Sequence, residues 1–234
     1  MKILIFSDLH GNWEALQALQ AAESRPDALL FLGDVVGFGP DPKACLAWVR
    51  RNATYAVRGN HDHAVARRVD CRCSPEYHDL SVASREHTWR ALNEADLQYL
   101  GSLPLEETVT LGGATFYLTH AAPSDPLYKS VDLIATPQKE LKQEIKGLAA
   151  DIILLGHTHV PAIRRVDTTY LVNPGSLGQP RHGTPSATYA VWQDGELAIR
   201  HVDYDRAATQ RKLSLLPLDP EHILRLQEIL ERGM

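Results

Sequence analysis

Lys2-Ile3-Leu4-Ile5-Phe6-Ser7-Asp8-Leu9-His10 is the stretch on which the fold turns: a short apolar run leads straight into an aspartate and a histidine two apart. Such a run is short for a buried helix and is closed by polar residues, so it reads as a buried strand. The same succession recurs along the chain. Ala28 to Leu32 runs into Gly33-Asp34, and Thr54 to Val57 into Gly59-Asn60-His61-Asp62. Ala114 to Leu118 runs into Thr119-His120, and Ile152 to Leu155 into Gly156-His157-Thr158-His159. In an open α/β sheet the carboxyl ends of the strands line one crevice, so ligand-type residues scattered along the sequence converge at one place.

The segments between these strands read as helices. Asn12 caps a helix running to about Glu23, with Trp13, Leu16 and Leu19 as its apolar stripe. Asp41-Pro42 places proline at the first turn of a second helix that ends near Asn52. Strand, helix, strand, helix, strand is the pattern of right-handed βαβ units. Residues 62–104 read as mainly helical and able to edge the site. After them the pattern turns antiparallel. Glu107 to Leu111 and Ala114 to Leu118 flank Gly112-Gly113, and later hairpins turn at Asp167-Thr168-Thr169 and Asp194-Gly195. A helix is expected from about Thr136 to Lys146, and Asp219-Pro220 opens a last amphipathic one. With no repeat and no linker-like run, residues 1–234 read as one domain, an α/β sandwich of mixed sheets.

Composition narrows the function classes. The 234 residues are 44% hydrophobic and 23% charged, ordinary for a globular chain, which excludes a disordered or fibrous protein. The apolar start stops at Ser7-Asp8, far short of a signal-peptide core or of the roughly 18 apolar residues a membrane span needs, so no membrane partner and a cytoplasmic location are expected. A formal charge of −5 gives no basic footprint for gripping nucleic acid, and a small phosphorylated substrate, up to a nucleotide or short oligonucleotide, fits better than a long duplex. Three cysteines are too few for a disulfide framework. Cys71-Arg72-Cys73 with His78 nearby has the makings of part of a zinc site, but no further ligand follows at finger-like spacing, which favours two isolated thiols.

The motif residues suit a two-metal hydrolytic centre. On an extended strand end, Asp8 and His10 point to one side and can clasp one cation. Asp34 can bridge that cation to a second, Asn60 offers an amide oxygen, and His120, His157 and His159 offer imidazole nitrogens. This mixture suits Mn²⁺, with Fe or Zn²⁺ as alternatives. Such a pair, about 3.5 to 4 Å apart, binds a shared hydroxide and clamps phosphate oxygens for in-line attack at phosphorus. His61, beside Asn60, is placed to protonate the leaving oxygen, and Asp62 to orient the His61 ring.

In these motifs the sequence resembles the calcineurin-like metallophosphoesterase superfamily: Asp8-x-His10, Gly33-Asp34, Gly59-Asn60-His61-Asp62, His120 and Gly156-His157-x-His159 occur in the family's order. The resemblance spans at least residues 1–183. It implies a four-layer αββα sandwich and two divalent transition-metal ions. Asp8, His10, Asp34 and His159 would hold one ion, and Asp34, Asn60, His120 and His157 the other. Asn173-Pro174-Gly175-Ser176, followed by Gln179-Pro180-Arg181, is similar to a segment of the small bacterial and archaeal phosphodiesterase branch. There Arg181 is the candidate substrate-binding residue, while Asn173-Pro174-Gly175 reads equally as a turn or as a substrate contact. The expected activity is metal-dependent hydrolysis of phosphodiesters or phosphomonoesters. A dinucleoside-polyphosphate hydrolase, a protein phosphatase and a noncatalytic interaction scaffold of the same fold are the alternatives, and the oligomeric state stays open.

Overall fold

In the computed structural model, which describes residues 1–234, the opening strand β1 (Lys2–Phe6) divides its side chains between two cores. Ile3 and Ile5 face one way and Leu4 and Phe6 the other, as the two-residue period of a strand requires, and all four are buried. A strand buried on both faces must be covered on both. β1 lies inside a five-stranded sheet of order β10-β9-β1-β2-β3, built with β2 (Ala28–Phe31), β3 (Tyr55–Ala56), β9 (Ala187–Gln193) and β10 (Glu196–Val202). β1, β2 and β3 are parallel, while β9 runs antiparallel to both β1 and β10.

A second five-stranded sheet has the order β4-β5-β6-β8-β7, from β4 (Glu106–Leu111), β5 (Ala114–Thr119), β6 (Ile152–Leu154), β7 (Ala162–Val166) and β8 (Thr169–Asn173). β5, β6 and β8 are parallel, and β4 and β7 are antiparallel at the two edges. Ile3, Ile5 and Leu30 of the first sheet pack with Phe116, Leu118 and Leu154 of the second, so the two sheets share an apolar layer. Parallel strands need crossovers, and these supply the outer layers.

On the first sheet lie α1 (Trp13–Ala22), α2 (Pro42–Asn52), α3 (Asn60–Arg67) and α5 (Glu94–Ser102), which bury Leu16, Leu46, Val65 and Leu100 against Phe6 and Phe31. On the second lies α6 (Gln138–Glu144), whose Leu141 packs with Tyr117 and Leu171. A smaller cluster joins α4 (Pro75–Ala91), α7 (Arg206–Leu213) and α8 (Pro220–Arg232) around Phe38. The fold class is therefore the expected one, two mixed sheets between layers of helix. No helix is long and apolar enough to cross a membrane.

Asn12 caps α1 by accepting from the Ala15 amide, as its position predicts. Asp41 precedes the α2 proline but makes no side-chain cap. Its carboxylate instead pairs with Lys212 at 2.7 Å, and the same ammonium pairs with Glu14 at 2.6 Å, tying α7 to α1 and α2. Residues 62–104 are helical as three separate pieces, α3, α4 and α5. The hairpin between β4 and β5 turns at Gly112 (φ 58°) and Gly113 (φ 85°), a pair of positive angles that glycine adopts without steric cost.

Ile5 is fully buried between the sheets. Ile5→Ala should lower unfolding free energy by about 2–5 kcal/mol in denaturant titrations, the usual range for a buried isoleucine truncation. A loss below about 1 kcal/mol would mean that this layer is not what holds the sheets together.

Candidate metal centre

Five of the motif residues sit just past the strand ends, in loops of unusual backbone. Asp8 (φ 53°), His10 (45°), Asp34 (60°), His157 (69°) and His159 (61°) all occupy the left-handed region. Non-glycine residues pay of order 1–3 kcal/mol there, and such conformations gather where surrounding structure holds a functional geometry in place. This corrects the expectation that strand alternation would align Asp8 with His10. β1 ends at Phe6, and the two side chains converge through left-handed turns beyond it.

The hydrogen bonds fix what the histidines present. His10 Nδ1 lies 3.0 Å from the Val36 carbonyl, His159 Nδ1 2.6 Å from the Gln179 carbonyl, and His120 Nδ1 2.8 Å from the Leu32 carbonyl. A carbonyl only accepts, so each Nδ1 carries a proton and each Nε2 faces inward, with a free lone pair wherever the ring is neutral. The two inward atoms of His10 and His159 are 3.2 Å apart, and Asp8 Oδ1 is 3.2 Å from His159 Nε2 and 3.8 Å from His10 Nε2. That carboxylate oxygen is buried and has no hydrogen-bond partner.

Asp34 Oδ2 stands between this group and a second one. It is 3.9 Å from His10 Nε2 and 3.3 Å from His120 Nε2, while Oδ1 is held by the His61 amide at 2.9 Å. Asn60 donates through Nδ2 to the Cys71 carbonyl, which leaves its Oδ1 3.0 Å from His120 Nε2 and 3.2 Å from His157 Nδ1. Ligand-type atoms therefore crowd in two neighbouring groups. Asp8, His10 and His159 form one; Asp34, Asn60, His120 and His157 form the other, with Asp8 also close to Asp34 and His120.

Charge follows the same arrangement. Burial works to raise Asp8 and Asp34, but the facing histidines outweigh it and hold both carboxyls below the usual range. Burial pushes His10, His157 and His159 down, His157 to about 3. It pulls on His120 too, yet the Asp34 charge prevails and raises that ring to about 9. Ionised carboxylates beside the neutral imidazoles of His10, His157 and His159, with a His120 ring that would give up its Nε2 proton to an ion, are a donor set that a divalent cation completes. The residues fit such a group.

A scaffold outside the donors holds these loops. Asp62 accepts from the amides of Asp34 (2.8 Å), Val35 (3.0 Å), Val36 (3.3 Å) and Gly59 (3.1 Å). Its carboxylate is thus engaged with backbone and does not orient His61, contrary to the sequence expectation. The reason is helical geometry: both residues belong to the first turn of α3, where neighbours in sequence do not face each other. Asn173 donates to the Gly156 carbonyl and Thr158 Oγ1, and Ser176 Oγ donates to the Asp8 carbonyl at 2.7 Å. The Asn173-Pro174-Gly175-Ser176 segment is therefore an internal brace for the donor loops, which decides between the turn and the substrate contact.

A cavity of about 310 Å³ opens over the donors, lined by Asp34, Asn60, His61, His157, His159 and Arg181 among others. The His61 imidazole rests against Phe38 and His10, with ring centroids at 4.7 and 5.1 Å. Arg181 stacks on Tyr77 of α4 at 3.7 Å and donates to Gln179 Oε1, so its guanidinium is held at the cavity wall. The helical segment contributes Tyr77 to that wall and so edges the site. His78, the imidazole nearest in sequence to Cys71 and Cys73, pairs instead with Asp70 at 2.7 Å.

The sequence profile of the calcineurin-like phosphoesterase superfamily domain matches residues 1–194. A solved metallophosphoesterase from Sphaerobacter thermophilus is 30% identical, covers 97% of this chain and 98% of its own, and superposes with a TM-score of 0.81. An uncharacterised protein of Methanocaldococcus jannaschii is 29% identical over 90% of this chain and 91% of its own length. Phosphodiesterase YfcE of Escherichia coli is 26% identical over 85% and 91%.

Gly59 is a direct test of how tightly the donors are packed, because a Cβ there would lie 2.0 Å from Asp34 Oδ1 and 2.4 Å from the Asp34 amide. Gly59→Ala should keep its circular dichroism spectrum but fail to reach wild-type metal content on reconstitution with Mn²⁺. Full occupancy in this variant would show that Asp34 can shift without loss.

Proposed function

The chain belongs to the calcineurin-like phosphoesterase superfamily, and from that premise we propose that it is a two-metal phosphoester hydrolase acting on small phosphorylated substrates, with His61 as general acid. The observation that carries this reading is the placement of Asp34 Oδ2 between two sets of inward-facing donors, 3.9 Å from His10 on one side and 3.3 Å from His120 on the other. Asp8, His10, Asp34 and His159 would hold one cation, and Asp34, Asn60, His120 and His157 the second, with Mn²⁺ the metal that suits this mixture of oxygen and imidazole ligands. When bound, such a pair supplies Lewis acidity toward phosphate oxygens and a nucleophile from water at neutral pH.

The chain's own groups do the rest. Three Nδ1-to-carbonyl bonds hold His10, His120 and His159 with Nε2 inward, so no ring has to turn at binding and His120 has only to release its Nε2 proton. Arg181 opens onto the same cavity as the donors and presents a fixed positive charge to a phosphate oxygen. Its stacking on Tyr77 restrains the side chain before substrate arrives, which lowers the ordering cost of binding. As the ester P–O bond breaks, the departing oxygen takes the His61 proton, and water afterwards returns one to the ring. His61 is free for this because its ring makes no hydrogen bond within the chain, and only its backbone amide is tied to Asp34.

Support for an intact enzyme over a noncatalytic scaffold comes from the donor set, which is complete, and from the cavity of about 310 Å³ beside it, room for a small ester. The YfcE likeness favours diesters as the substrate class.

General acid catalysis contributes about 10² to 10⁴-fold and matters more as the leaving group becomes more basic. With Mn²⁺-loaded protein, His61→Ala should lower kcat for alkyl phosphodiesters within that range while sparing esters of acidic phenols, at unchanged metal content. Arg181→Ala should instead raise KM for both ester types. Equal slowing of alkyl and phenyl esters by His61→Ala would remove the acid assignment, and no hydrolysis of either by the wild-type protein would remove the enzyme reading.

A further inference from the structure

Cys71 and Cys73 stand on the loop between α3 and α4, and the fold carries that loop back onto the cavity. The sulfur atoms of Cys71 and Cys73 and a ring nitrogen of His61 all lie within 4.8 Å of one another. The loop turns here: Arg72, between the two cysteines, is left-handed at φ 52°. Its amide is pinned by Asp70 at 2.6 Å, and the Cys71 carbonyl is pinned by Asn60 Nδ2 at 2.7 Å. Cys71 is buried, with its sulfur 2.9 Å from Ser81 Oγ, while Cys73 and His61 both line the cavity.

We propose that His61, Cys71 and Cys73 form a separate site for a thiophilic cation of the Zn²⁺ class, and that occupation of this site takes His61 out of the reaction. Two thiolates and one imidazole are the ligand set of soft or borderline ions, and a tetrahedral ion held by three protein groups keeps one position open, here toward the cavity. The neighbouring centre is built of carboxylates, an amide oxygen and imidazoles, and suits harder ions. Two adjacent sites thus sort cations by softness, and His61 belongs to the softer one. Binding releases the thiol protons to solvent, and the imidazole nitrogen that takes the ion can no longer hold a proton for the leaving oxygen. The cation site stands on the geometry alone, whereas its effect on hydrolysis rests on the reading of His61 as general acid.

The test begins with Mn²⁺-loaded protein titrated with Cd²⁺, whose thiolate complexes absorb in the ultraviolet. Cys45 is fully buried in the core and is retained in every variant, so the band reports the pair. Wild type should develop the band with an end point at one equivalent. Cys71→Ser and Cys73→Ser should each weaken Cd²⁺ binding by at least about 10-fold, since loss of a ligand should exceed what a changed outer contact does. His61→Ala should weaken it as well. Absence of the band, or wild-type affinity in either serine variant or in His61→Ala, would overturn the site. In parallel, Zn²⁺ added to the Mn²⁺ enzyme should slow alkyl diesters more than esters of acidic phenols. That selectivity should fade in both serine variants when each is compared with its own rate before zinc. If the Cd²⁺ results hold but zinc slows both esters equally, the inhibitory role is overturned and the site stands. His61→Ala kinetics without zinc then say separately whether His61 is an acid at all.

Discussion

Two imidazole nitrogens, both committed as acceptors by the carbonyls behind them, face each other at 3.2 Å inside the protein, with a buried carboxylate oxygen beside them. Lone pairs so placed repel, and burial removes the water that would otherwise relieve them. A cation reconciles the three groups at once. A few ångströms away, where His120 Nε2, Asp34 Oδ2 and Asn60 Oδ1 converge, a proton on the raised His120 ring holds the place that a cation would take. The fold can be understood as the device that holds these acceptors together against their own repulsion.

Holding them takes two kinds of support. The sandwich brings β1, β2 and β3 from one sheet and β5 and β6 from the other to end around one space, with their shared apolar layer as the anchor. The loops beyond the strands are then locked by hydrogen bonds: Asp62 gathers four amides from two donor loops, while Asn173 and Ser176 brace the Gly156 and Asp8 carbonyls. These contacts offset the left-handed backbone at Asp8, His10, Asp34, His157 and His159. Glycine at position 59 lets the α3 terminus approach Asp34 closely enough for the His61 amide to hold it.

Much of this was legible because it is local. A short apolar run followed by Asp or His marks a strand end with a donor, and the five such marks predicted the convergence that the two sheets produce. Helix starts at Asn12, Pro42 and Pro220 were equally local signals. What sequence could not supply was direction. Asp62 adjoins His61 in the chain, yet on a helix its carboxylate points elsewhere, into the amides of the Asp34 loop. Asp8 and His10 were read as strand neighbours, but the strand ends before them. α7 went unread because Arg206–Leu213 has no apolar stripe; its Asp205 cap and the Lys212 pairs hold it. The meeting of Cys71 and Cys73 with His61 depends on a loop folding back, for which His78 gave a misleading local cue.

The central claim is that Asp34 Oδ2 joins two cations, and anomalous diffraction from crystals of Mn²⁺-loaded protein tests it most directly. The account predicts two manganese peaks about 3.5 to 4 Å apart, one on the His10 and His159 side of Asp34 and the other on the His120 and His157 side. A single peak at full occupancy, or two peaks of which only one contacts Asp34, would contradict it.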